Sequence, residues 1–80
     1  MAKLTPDTFT KGKSLAHYSV HPVKVSDYHV FEVDGEPVLH IRTFSSPDRK
    51  KEGKACQNIQ IDRDMAKVLV NIMKDSGLLD

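Results

Sequence analysis

Asp34-Gly35 lies between Val30-Phe31-Glu32-Val33 and Glu36-Pro37-Val38-Leu39-His40-Ile41, and no other feature constrains this 80-residue chain as strongly. Asp-Gly between two runs rich in β-branched and aromatic residues specifies a two-residue hairpin loop, because both central positions then need positive φ. With that loop length the register follows by counting. Val33 stands opposite Glu36, Phe31 opposite Val38, His29 opposite His40, and Asp27 opposite Arg42. Side chains alternate along a strand, so the register sorts the hairpin into two faces. Tyr28, Val30, Leu39 and Ile41, with Glu32 and Pro37 near the turn, form a mostly aliphatic face that reads as core. His29, Phe31, Val33, Val38, His40, Arg42 and Phe44 form the other. A loop of three residues would turn one strand over and dissolve this sorting.

The flanking segments extend the pattern. Residues 1–13 are polar, with Pro6, Gly12 and lysines, and read as a flexible N-terminal arm or a short edge segment ahead of a domain over residues 14–80. Leu15 to Val20 alternates weakly as a first strand. Pro22, which cannot donate to a ladder, places this piece at an edge or bend before Val23-Lys24-Val25. After Phe44, Ser45-Ser46-Pro47-Asp48 ends the strand, and Arg49 to Lys54 reads as a charged loop with Gly53 at a positive-φ turn. Ala55 to Ile61 is a further strand, with Gln57, Ile59 and Ile61 on one face and Cys56, Asn58 and Gln60 on the other.

Asp62 is placed as an N-cap, and Met65, Val68, Leu69, Ile72 and Met73 recur at spacings of three and four as one apolar stripe of a helix. Gly77 is its left-handed C-cap, with Leu78-Leu79 folding back. Val70, Met73, Leu78 and Leu79 offer apolar surface for a subunit contact, as suits a short chain that buries little surface alone. The fold class is therefore α+β: a curved antiparallel sheet of about four strands with one C-terminal helix covering one face, in the order β-β-β-β-α. With the aliphatic face under the helix, the face bearing Phe31, Arg42 and Phe44 is left open, and an open aromatic face is an interaction surface.

Charge supports this. The formal net charge is only +1, but residues 38–61 carry Arg42, Arg49, Lys50, Lys51 and Lys54 against Asp48 and Glu52 alone. His29 and His40, paired across the strands on the same face, gain charge on mild acidification. Single strands are held by aromatics that stack on bases and cations that track phosphates, and Phe31 and Phe44 with Arg42 between them supply both. The same aromatics could instead fill a dimer interface or lie under the N-terminal arm.

On these residues the chain resembles the single-stranded-DNA-binding domain of the positive cofactor four type of transcriptional coactivators, including its small bacterial and phage relatives. The resemblance runs over about residues 28–79, on Phe31 and Gly35, Ile41-Arg42-Thr43-Phe44, Lys50-Lys51-Glu52-Gly53-Lys54, Ile59-Gln60-Ile61-Asp62 and the helix containing Leu69. It departs where Ala55-Cys56-Gln57-Asn58 separates the lysine-glycine loop from the strand. The resemblance implies a homodimer built through the helices, with single-stranded DNA across basic, aromatic sheet faces. It implies Phe31 as a stacking residue, Arg42 and Phe44 as backbone and base contacts, and Lys50, Lys51 and Lys54 as phosphate contacts; Arg49 and His40 are expected in the same binding patch from their own charge and position. RNA is the alternative strand.

Other chemistries find little support. His17 and His21 are four apart, but Pro22 and the absence of a cysteine pair or carboxylate cluster argue against a metal site. Cys56 is the sole cysteine, has no evident base, and is expected to pack in a strand. No phosphate-cradling glycine loop is present. No enzyme and no cofactor is expected. One cysteine and no apolar run of spanning length suggest a reducing compartment such as the cytoplasm, with no membrane partner. A protein-docking module using the same face is the competing function. Double-stranded RNA binding is disfavoured, because residues 1–13 lack the apolar period of a first helix.

Overall fold

The computed structural model describes residues 2–13, 19–20 and 22–80. Four strands, β1 (Ala2–Lys3), β2 (Val25–Val33), β3 (Glu36–Phe44) and β4 (Gln57–Ile61), form one open sheet in the order β1-β4-β3-β2. A short helix α1 (Pro47–Lys51) follows β3, and the C-terminal helix α2 (Arg63–Asp75) follows β4. This is the expected α+β arrangement of a four-stranded sheet and a C-terminal helix.

The hairpin has the register that counting requires. Asp34 and Gly35 take φ of 51° and 80°, the two positive values of a type I′ turn, whose twist matches that of the flanking strands. Val33 pairs with Glu36, and the ladder runs without a bulge to Val25 opposite Phe44. On the far side of β3, Leu39 pairs with Ile61, Ile41 with Ile59, and Arg42 with Asn58, all antiparallel.

The sheet is mixed rather than wholly antiparallel, because β1 runs parallel to β4, with Ala2 beside Ile59 and Lys3 beside Gln60. Leu4 N–H extends the pairing to the Gln60 carbonyl at 3.0 Å. The fourth strand thus comes from the start of the chain, and of the two readings of residues 1–13 the short edge segment is what residues 2–4 form. A 3₁₀ turn over Pro6–Thr8 then contacts α2. Most of the strand expected over Leu15–Val20 lies outside the described residues; Ser19 and Val20 themselves are not in a strand.

Both caps of α2 form as the sequence requires. Asp62 Oδ1 accepts from Met65 N–H at 2.9 Å. At the other end Gly77 has φ of 83°, Leu78 N–H reaches the Met73 carbonyl at 2.7 Å, and Gly77 N–H reaches that of Lys74 at 3.2 Å. Those two bonds make a Schellman ending. Residues 49–54 are not the expected charged loop throughout. Ser46 caps α1, its hydroxyl accepting from Arg49 N–H at 3.2 Å, and Pro47 supplies the preset φ of a first helical residue. Gly53, at φ 73°, ends the turn as expected.

The core differs from the expected one-sided core. Among the described residues only Val38, Phe44 and Met65 are buried hydrophobics, at 7%, 2% and 0% exposure. Two of these, Val38 and Phe44, belong to the face expected to lie open. Leu39, Ile41, Ile59 and Ile61 are half-buried, whereas Tyr28 and Val30, assigned to the core face, are 71% and 64% exposed. The cause is the place of β2 at the sheet edge, where its side chains have strand neighbours on one side only. No helix among the described residues is long and apolar enough to cross a membrane.

Candidate nucleic-acid interface

Alternation along β2 and β3 brings Asp27, His29, Phe31, Val38, His40, Arg42 and Phe44 to one face, joined by Asn58 and Gln60 from β4. At its centre Arg42 meets the residue directly opposite it in the ladder. Arg42 Nε donates to Asp27 Oδ1 at 2.8 Å and Nη2 donates to Oδ2 at 2.5 Å. This is a bidentate fork in which planar guanidinium and carboxylate match. The hydrogen bond from Arg42 holds the Asp27 carboxyl below its ordinary range, outweighing partial desolvation, and His29 and Lys50 add smaller favourable fields. Reciprocally, the bond to Asp27 raises Arg42. His29 Nε2 lies 3.6 Å from the same carboxylate.

The Arg42 guanidinium also lies over the Phe44 ring, 5.1 Å from its centroid, within cation–π range. Phe44 is closed in. It lines a hollow with Pro22, Val23, Lys24, Ser45 and Cys56, and α1 contacts the strand that carries it. Phe44, expected as a base contact, is therefore a core residue, and Arg42, expected as a free cation, is neutralised by Asp27. Sequence reasoning placed Asp27 opposite Arg42 without giving it a role; a carboxylate directly across a ladder from an arginine was the available signal.

Phe31 keeps the expected accessibility, 38% exposed. Its ring meets the His40 ring edge-on, centroids 6.3 Å apart. His40 Nε2 is hydrogen bonded to Asn58 Oδ1 at 3.1 Å, so it is held in the sheet while its ring face remains beside Phe31.

The cations of the patch divide. Glu52 takes two of them, Lys54 at 3.3 Å and Arg49 at 3.9 Å. Lys50 and Lys51, exposed on α1, make no ion pair among the described residues, and Lys50 is near enough to Asp27 to stabilise its charge. Lys50 thus stands at the Asp27 end of the aromatic face, with Lys51 next to it in α1. Cys56 precedes β4 and is exposed, not packed inside a strand as expected. His17 and His21 lie outside the described residues, and no group of three His, Cys, Asp or Glu gathers among the described ones. On α2 and its ending, Val70, Leu78 and Leu79 are exposed and Met73 is half-buried.

Compared with known proteins, the chain matches no family model, no curated protein and no solved structure.

Proposed function

We propose that this protein binds single-stranded nucleic acid, DNA in the first instance. Phe31 would stack on a base, and Lys50 and Lys51 would meet phosphates further along the same strand, beyond the Asp27 end of the face. The observation that carries the proposal is the position of α1, whose Lys50 and Lys51 make no ion pair among the described residues, at the end of a sheet face that bears the rings of Phe31, His29 and His40. Stacking and phosphate neutralisation together are what single-strand recognition without strict sequence preference needs. It is also the function that the resemblance to the positive cofactor four domain implies, with Phe44 moved out of the contact set and Arg42 engaged first with Asp27.

Titration of a labelled single strand of about a dozen nucleotides at about 50 mM salt tests this, since a site of that kind spans roughly 4–16 nucleotides. Phe31→Ala should weaken binding about tenfold or more, consistent with roughly 1–3 kcal/mol per stacked base. Phe44→Ala should instead lower folding stability by about 3–5 kcal/mol, the cost of emptying a buried aromatic site. Absence of binding at micromolar protein ends the proposal.

A second function, protein docking, draws support from a different surface than expected. Tyr28 and Val30 are exposed on the opposite face, and Tyr28 lines a hollow of about 450 Å³ there with Ser26, Asp27, Leu39 and Ile41.

A further inference from the structure

The two edges of the sheet are unlike. β1 is two residues long and carries Lys3, which are two ordinary means of blunting an edge. β2 is nine residues long, has no lysine, proline or bulge, and among the described residues pairs only with β3. The two residues flanking a type I′ turn exchange hydrogen bonds. Val33, Phe31, His29, Asp27 and Val25 therefore direct their N–H and C=O groups at β3. Those of Glu32, Val30, Tyr28 and Ser26 point outward, a ready template for another strand.

We infer that the outer edge of β2 pairs antiparallel with β2 of a second copy of this chain, about a two-fold axis at Tyr28, joining the two sheets into one. The charges on the strand select the partner and the register. Only registers that set Ser26, Tyr28, Val30 and Glu32 against the same set join outward-pointing groups. Centred on Tyr28, the pairing puts Asp27 opposite His29, twice by symmetry, and Val25 opposite Phe31, and it brings Lys24, in the bend just before the strand, to Glu32 of the other copy. A shift by one pair in one direction sets Asp27 against its own copy; in the other it sets His29 against itself and Asp27 against Phe31. Opposite charges across a ladder stabilise it and like charges oppose it, so the register with Asp27 against its own copy is disfavoured, and of the three only the Tyr28-centred one sets Lys24 against Glu32. It also brings the exposed Tyr28 and Val30 of both copies together on one face.

Light scattering with size exclusion at about 100 µM chain reads the association, which follows mass action. The wild type should run as a dimer. Val30→Pro removes an outward donor that β3 does not use, and should give a monomer with unchanged circular dichroism. Lys24→Glu and Glu32→Lys should each weaken dimerisation about tenfold or more. Mixing those two variants should restore it, because each charge then meets its opposite. A monomeric wild type, a dimer indifferent to Val30→Pro, or a mixture that fails to recover would each overturn the inference.

Discussion

Asp27 is the residue on which the candidate face turns. Its carboxylate converts Arg42 from a free cation into half of a fixed pair, and the fixed guanidinium in turn lies over Phe44. The pKa of Asp27 is lowered in the folded chain, chiefly by the bond from Arg42. Such a group binds its proton more readily when unfolded. Its contribution to stability is complete above the unfolded carboxyl value of about 3.9 and is lost as pH falls through the lower folded value. The thermal midpoint should therefore drop as pH is taken from about 5 towards 2, and Asp27→Asn should flatten the part of that drop due to this pair. Asp62 is lowered in the same direction, by the Met65 N–H and by Lys3, so the slope in Asp27→Asn is reduced rather than abolished. At neutral pH the same variant releases Arg42 and should tighten oligonucleotide binding. Weaker binding would place Arg42 in the contact set only when Asp27 orients it.

At the scale of elements, α1 carries the charge that the sheet face lacks. Five residues long and capped by Ser46, it fixes the Lys50 and Lys51 backbone that a loop would leave free to vary. Each phosphate neutralised on a single strand steepens the salt dependence by roughly 0.7 in log–log slope. Lys50→Ala and Lys51→Ala should each flatten it by about that amount, whereas Lys54→Ala, already paired with Glu52, should change it less; fluorescence anisotropy over a salt series reads all three. The elements that were legible in the sequence are those written in local chemistry. Asp34-Gly35 demands its turn, Asp62 and Gly77 bracket α2, and the stripe from Met65 to Met73 has the helical period. α1 was hidden because Ser46-Pro47-Asp48, which begins a helix, also ends a strand. β1 was hidden for another reason. Two residues have no period, and their order comes from β4, more than fifty positions away. The same non-locality bears on Phe44: the ladder assigned its face correctly, but its surroundings include the Pro22–Lys24 segment and Cys56, which line a hollow with it and which no spacing rule connects to it.

At the scale of the whole molecule, the single chain leaves too much surface uncovered. Its accessible area is 6728 Å², against about 4,900 Å² for a folded monomer of 9.0 kDa. Its radius of gyration is 14.7 Å, against about 12 Å for a compact chain of this length. Three buried hydrophobic side chains among the described residues are a small core to set against the conformational entropy of ordering the chain. The proposed dimer would supply what is missing, since a second copy on the edge of β2 would lie beside Tyr28 and Val30 and satisfy the outward backbone groups. Folding and dimerisation are then linked, and a linked dimer has a midpoint that rises with chain concentration. Circular dichroism melts between about 5 and 500 µM should show that rise for the wild type, at a size set by RT ln of the concentration ratio. Val30→Pro should melt lower and at one temperature throughout, because its edge no longer pairs. A wild-type midpoint that stays constant over that range would mean that the open monomer is sufficient by itself, and that the β2 edge is tolerated rather than used.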